Sequence, residues 1–290
     1  MRHTLTLIAA RGSTTLTDPL IARVRDAVRG GEPEILARGE AADITVPSAP
    51  DMALVRAALD GAAIDAIVTP TDGRRKRLLI ADMDSTIVTG ETLDELADFA
   101  GLKDRIAAIT ARAMNGELDF KTALRERVAM LKGLPVDALE RTWQGVRLTP
   151  GARELVATMR AHGAYTAMVS GGFSFFTGRV AALCGFDLHR SNTLLDDGTT
   201  LTGQVGEPIL DRDTKLATLT GLATERGLEL SATLAVGDGA NDLDMLRAAG
   251  LGVAFRAKPI VAAEARARVD HADLRALLFA QGYRAADIIA

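Results

Sequence analysis

Apolar and polar residues follow two different rhythms along this chain. His3–Ala10 alternates in the period-two manner of a strand, and Asp18–Val28 places Leu20, Ile21, Val24 and Val28 at helical spacing. Glu34–Leu36 and Ile44–Val46 are short strand candidates, Ala53–Leu59 is helical, and Ala66–Val68 is another strand. The order strand-helix-strand-strand-helix-strand predicts a small α+β sandwich over residues 1–72.

Thr69–Arg77 breaks the pattern. Pro70, Gly73 and the run Arg74-Arg75-Lys76-Arg77 predict a linker, and the basic run reads as a solvated face rather than a nucleic-acid patch. From residue 73 to 290 the rhythm changes. Short apolar runs at Leu78–Ala81, Tyr165–Val169, Thr233–Val236 and Leu251–Ala254 are separated by longer helical stretches. Strands apolar on both faces, alternating with helices, predict a parallel doubly wound α/β sheet. Helical stretches fill Glu91–Asn115 and Phe120–Leu131, and Asp196-Asp197-Gly198 predicts a hairpin turn between Leu194 and Val205.

Composition narrows the class. The 34 Lys and Arg against 38 Asp and Glu leave a net charge of −4, which gives no reason to expect nucleic-acid or anionic-membrane binding. No apolar run approaches the ~20 residues of a membrane helix. Arg11 interrupts the apolar start that faintly resembles a signal peptide. The single cysteine, Cys184, excludes an internal disulfide and reads as core; a reducing cytoplasm is the expected compartment. His3, His162, His189 and His271 match no ligand spacing, and Trp143 reads as core.

In a doubly wound sheet, ligands bind at the carboxyl ends of the strands near the topological switch point. Three polar clusters follow strands here: Asp82-Met83-Asp84-Ser85-Thr86, Ser170-Gly171-Gly172, and Gly237-Asp238-Gly239-Ala240-Asn241-Asp242, with Lys215 between the last two. Asp82 and Asp238 offer hard oxygen ligands suited to Mg²⁺. An aspartate such as Asp82 can attack phosphorus, and Asp84 can give a proton to the leaving oxygen and later take one from water. The Ser170 hydroxyl and the Lys215 ammonium can hold phosphoryl oxygens, and Gly171 and Gly172 let the backbone come close. Asp242 could bind metal directly, although orienting Lys215 or a metal-bound water suits it better. Asn241 could touch substrate or cap the following helix. Singly, each is an ordinary cap, turn or surface residue; order and spacing together make the signal.

That combination resembles the haloacid dehalogenase (HAD) superfamily, and within it the phosphoserine phosphatases. Glu91 lies seven residues beyond Asp84, as in that family. Ala113-Met114-Asn115-Gly116, Leu118-Asp119-Phe120 and Leu124–Val128 look like its cap, and Ala254–Pro259 and Asp273-Leu274-Arg275 like its tail. The resemblance covers about 210 residues from Leu78 onward. It implies an HAD-like core with a small helical cap inserted at about 90–148, and an aspartyl-phosphate on Asp82. It implies Mg²⁺ held by Asp82, the Asp84 carbonyl and Asp238. The implied reaction is hydrolysis of O-phosphoserine, the last step of serine biosynthesis, with Glu91 on the ammonium and Arg127 on the carboxylate. Met114 and Phe120, otherwise ordinary core residues, would face substrate from the cap.

Residues 1–72 depart from the minimal family pattern. Their element order looks like an amino-acid-binding regulatory module of the ferredoxin-like (ACT-like) type, with serine or another amino acid as ligand; a structural or homodimerising role fits equally. Two other functions share much of the pattern: a phosphotransferase passing the group to an alcohol such as homoserine, and a phospho-accepting signalling domain. The latter lacks an acid two residues after the nucleophile, so Asp84 and the cap argue against it.

Overall fold

The computed structural model describes residues 2–114 and 118–290; the side chains of residues 111, 113 and 114 are outside that description. The first domain runs β1 (His3–Ala9), α1 (Asp18–Val28), β2 (Glu34–Ala37), β3 (Ala41–Val46), α2 (Met52–Leu59) and β4 (Ile64–Pro70). Its strands form an antiparallel sheet in the order β2-β3-β1-β4, the ferredoxin-like arrangement. α1 begins where the Thr17 side chain accepts the Leu20 N–H, with Pro19 in the first turn. The two helices cover one sheet face through Val24 and Val55 against Leu5, Leu7 and Ile44.

The second domain continues with β5 (Leu78–Ala81), α3 (Thr92–Phe99), α4 (Lys103–Met114), α5 (Phe120–Ala129), α6 (Asp137–Gly145), α7 (Ala152–Ala161) and β6 (Tyr165–Phe173). Then come α8 (Ser174–Cys184), β7 (Leu188–Asn192), β8 (Leu194–Asp196), β9 (Leu201–Val205), α9 (Arg212–Glu225) and β10 (Thr233–Gly237). It ends with α10 (Leu243–Ala248), β11 (Leu251–Phe255), α11 (Pro259–Glu264), β12 (Ala267–Val269) and α12 (Ala276–Ala280). Six strands lie parallel in the order β12-β11-β10-β5-β6-β7, so the order reverses between β5 and β10. Alternate residues of each strand enter different cores. Leu79 and Ala81 join one face's cluster, and Leu78 and Ile80 join the other's. Burial on both faces explains why these strands read as unbroken apolar runs. β8 and β9 form the expected hairpin, which docks on the helical insertion through the Gly133 N–H to the Leu201 carbonyl.

Two expectations need correction. The helical stretch Glu91–Asn115 is two helices, because Gly101 at φ +68° turns the chain between α3 and α4. The basic run is not a solvated face throughout. Arg74 is nearly buried and makes two bonds to Asp43, with Nη1 to Oδ2 at 2.6 Å and Nη2 to Oδ1 at 3.1 Å. It also donates to the Phe279 and Ala280 carbonyls. Lys76 is buried and donates to the Gly73 and Ser231 carbonyls. The segment joining the domains is therefore also the polar fastening between them. Around it, Ile8, Leu36, Ala41 and Ile67 on the open face of the first sheet share one core with Leu277, Leu278 and Phe279 of α12. Among the described residues no helix is long and apolar enough to cross a membrane.

Candidate active site

The chain leaves β5, buried from end to end, straight into Asp82. It then makes a tight turn over Met83–Ile87, closed by the Val88 N–H on the Met83 carbonyl, with Ser85 at φ +54°. This turn presents Asp82 and Asp84 at the carboxyl edge. Asp82 Oδ1 accepts the Met83 N–H at 2.8 Å, and its Oδ2 meets Lys215 Nζ at 2.9 Å. Lys215 comes from the first turn of α9, which Asp211 and Thr214 cap reciprocally. Its ammonium also donates to Asp242 Oδ1 at 2.6 Å, and Asp242 Oδ2 accepts the Gly239 N–H at 3.0 Å. A Cβ on Gly237 would stand 2.3 Å from the Asp242 carboxyl carbon, so only glycine leaves room for that side chain at the end of β10.

Asp84 is held by two donors, the Thr92 N–H at 2.8 Å and the Ser170 hydroxyl at 3.2 Å. Ser170 in turn accepts the Gly172 N–H at 2.8 Å. Pairing with β7 shifts register between Val169 and Phe173, and this irregular end of β6 carries Ser170-Gly171-Gly172. A Cβ on Gly172 would come within 2.9 Å of Asp84 Oδ2. Glu91 precedes α3 and accepts the Ser85 hydroxyl at 2.7 Å. Arg127 sits in the last turn of α5 with Nε on the Ala123 carbonyl and lines the cleft, and Phe120 opens the same helix.

These residues enclose a cavity of about 140 Å³ lined by Asp82, Asp84, Glu91, Phe120, Arg127, Ser170, Gly171, Asp238 and Asn241. Lys215 and Asp242 stand behind its floor through their bonds to Asp82 and to each other. Met114 ends α4, but its side chain lies outside the described residues. Gly172, expected beside the phosphate, also lines the cavity, as do Leu93, Leu124 and Lys258, to which the sequence assigned no role at the site. For Lys258 a signal existed: it follows β11, a fourth strand of the same parallel sheet.

Burial pushes the Asp84 carboxyl up to about 6, with Glu91 adding repulsion and the Thr92 and Ser170 bonds opposing. Burial likewise raises Asp238 to about 6, partly offset by Lys258 and reinforced by Asp242. Asp82 is raised by burial and by Asp242, against the pull of Lys215. Burial pulls the Lys215 ammonium down, but Asp242 and Asp82 more than reverse it, so it stays charged. Burial lowers Arg127, with Asp94 and Glu91 opposing.

Oxygens of Asp82, Asp238 and Asp242 lie within 4.8 Å of one another. Both Asp242 oxygens already accept strong donors, whereas the nearest cation to Asp238 is Lys258 at 3.8 Å. The donor set is all oxygen, buried and under-supplied with donors at Asp238, which suits a hard divalent cation. Asp82 and Asp238 line the cavity where such an ion would sit, Asp82 already accepting from Met83 and Lys215; Asp242 lies outside that lining and fixes Lys215.

Residues 79–247 match the haloacid dehalogenase-like hydrolase model, more than half of the chain. The chain is 46% identical over 199 residues to a phosphoserine phosphatase of Streptococcus thermophilus, covering 69% of this chain and 93% of that one. It is 45% identical over 200 residues to a phosphoserine phosphatase of Archaeoglobus fulgidus, covering 68% of this chain but only 58% of that one. A crystal structure of a probable phosphoserine phosphatase from Vibrio cholerae superposes with a TM-score of 0.80 at 31% identity, over 98% of this chain and 88% of that one. The chain belongs to the haloacid dehalogenase-like hydrolases. Within them it falls on the phosphoserine phosphatase branch.

Proposed function

We propose that this chain hydrolyses O-phospho-L-serine to L-serine and phosphate, completing serine biosynthesis in the cytoplasm. The observation that carries the reading is one cavity with phosphoryl-transfer groups at its floor and an acid and an arginine in its wall. Asp82, Asp84, Ser170 and, behind Asp82, Lys215 form the first set; Glu91 and Arg127 form the second. The wall groups match the ammonium and carboxylate of the substrate, Arg127 as a fork for the carboxylate.

Asp82 attacks phosphorus while Asp84, protonated, gives its proton to the departing serine oxygen, leaving an aspartyl-phosphate on Asp82. Asp84, now a carboxylate, takes a proton from water, whose oxygen attacks the phosphorus and releases Asp82 and phosphate. A value of about 6 lets Asp84 serve in both forms near neutrality. The Ser170 hydroxyl and the Lys215 ammonium hold phosphoryl oxygens, and Lys215 opposes the upward push that burial and Asp242 exert on the Asp82 carboxyl. Asp82, Asp238 and the Asp84 carbonyl would hold Mg²⁺, which supplies charge neutralisation of the phosphoryl oxygens. Phe120 and Leu124 exclude water from above.

For residues 1–72 the covered sheet face favours a packing role over a free ligand-binding module. Phosphate release from a panel of phosphorylated metabolites, with Mg²⁺ and with chelator, tests the main reading. Phosphoserine should be preferred and activity should vanish with chelator. Equal turnover of phosphomonoesters lacking the amino-acid group would overturn the substrate assignment.

A further inference from the structure

The cleft presents a problem to any dianionic substrate, because Asp82, Asp84, Glu91 and Asp238 all line it. Among the described residues, two of those lining it are cations, Arg127 and Lys258. Arg127 is committed to the substrate carboxylate in the reading above, and Lys215 is buried between two aspartates. Lys258 is the remaining lining cation, and nothing so far gives it work.

Its placement is specific. The Lys258 backbone N–H donates to the Asp238 carbonyl at 3.1 Å, tying the loop after β11 to the end of β10. Pro259 follows in the first turn of α11, and Arg256, at φ +43°, anchors the loop through its N–H to the Val269 carbonyl. The backbone is thus pinned while the side chain is 56% exposed, with its ammonium 3.8 Å from Asp238 Oδ2. A contact of that length and exposure leaves the ammonium free to leave Asp238 for a better anion.

We propose that Lys258 is a phosphate-capturing residue at the mouth of the cleft, drawing the phosphoryl group past the carboxylates and handing it to Ser170 and Lys215. The proposal rests on the phosphatase reading of the site. A charge at the lip of a walled cleft raises local substrate concentration, an effect worth roughly ten- to a thousandfold for whole fields and less for one residue. It acts on the phosphoryl group alone, so its removal touches every phosphomonoester, unlike removal of Arg127.

Lys258→Ala and Lys258→Arg should be compared with the unaltered chain on phosphoserine and on an aryl phosphate, across a range of salt. For Lys258→Ala we expect kcat/KM to fall about five- to thirtyfold on both substrates. KM should carry most of the loss, and the salt dependence should flatten. Lys258→Arg should restore most of the loss. A fall confined to kcat, or less than twofold change with the salt slope intact, would overturn the proposal. If the unaltered chain favours the aryl phosphate, the phosphoserine reading fails while the aryl arm still decides the role of Lys258.

Discussion

Asp65, where the two domains meet, accepts the backbone N–H groups of Asp270, His271 and Ala272 at 2.8–3.2 Å. Nearby, Asp43 takes two bonds from Arg74 and one from the Thr6 hydroxyl. In the cleft, Asp238 is as deeply buried and Asp84 half-buried, yet Asp84 has two donors, and Asp238 has one cation at 3.8 Å. Buried carboxylates given donors on every side are fastenings. Buried carboxylates left short of donors hold their protons to about pH 6 and stay reactive toward protons and cations. Bond supply, rather than burial or residue type, separates the structural acids from the chemical ones.

The widest separation should appear on removing Asp82, the proposed nucleophile of the cleft. Asp82→Asn is expected to lower kcat by more than about a thousandfold, since an amide neither attacks phosphorus nor binds a cation well. Rapid quenching of the unaltered chain should give a phosphoryl adduct on the peptide containing Asp82, and an adduct elsewhere would reassign the nucleophile. Arg127→Ala should cost about ten- to a hundredfold in kcat/KM for phosphoserine, from a charge-assisted contact of roughly 1.5–3 kcal/mol, and leave an aryl phosphate nearly untouched. Equal loss on both substrates would place Arg127 on the phosphate or in the fold.

At the domain seam the opposite signature is expected. Arg74→Met strands the Asp43 carboxylate and should destabilise the chain by about 3–5 kcal/mol in denaturant unfolding, with kcat of the folded protein within about twofold of normal. A large fall in kcat at unchanged stability would mean the seam reaches into the chemistry. The smallest effect concerns pH. Because Asp238 is raised to about 6, it holds a proton that a cation bound there must displace. Mg²⁺ should therefore bind more weakly at pH 5.0 than at 7.5, by up to about tenfold per pH unit for each proton displaced. The same sign governs stability. Raised carboxylates favour the fold below about pH 4 and lose that contribution as pH rises through about 6, so Mg²⁺ should raise Tm more at pH 7.5 than at 5.0. Calorimetric titration and thermal melts at the two pH values check this, and equal affinities would refute it.

Much of this was legible because periodicity is local. β5, β6, β10 and β11 announce themselves as short apolar runs, and the groups that follow them converge once the sheet is parallel. What stayed hidden depends on partners far along the chain. Arg74 reads as one charge in an exposed run until Asp43, 31 residues earlier, comes to face it. Lys258 is marked only by its place after β11, and the tie from its N–H to Asp238 shows that its loop edges the cleft. The break at Gly101 was missed because helical spacing continues on both sides of it. α12 was readable in principle: Ala276-Leu277-Leu278-Phe279-Ala280 is apolar around its whole circumference, which marks a helix with neighbours on all sides.

That last helix also bears on how such chains can be rearranged. All five residues of α12 are buried, and those facing the first sheet meet Ile8 and Ile67 rather than water. Residues 1–72 therefore act as the outer wall of the catalytic domain's own core. Cutting them away would bare apolar residues of α12 and leave Arg74 without Asp43, an adhesive patch on an otherwise ordinary surface. In this chain, then, removing the first domain without also making α12 polar would trade one buried core for an exposed apolar face.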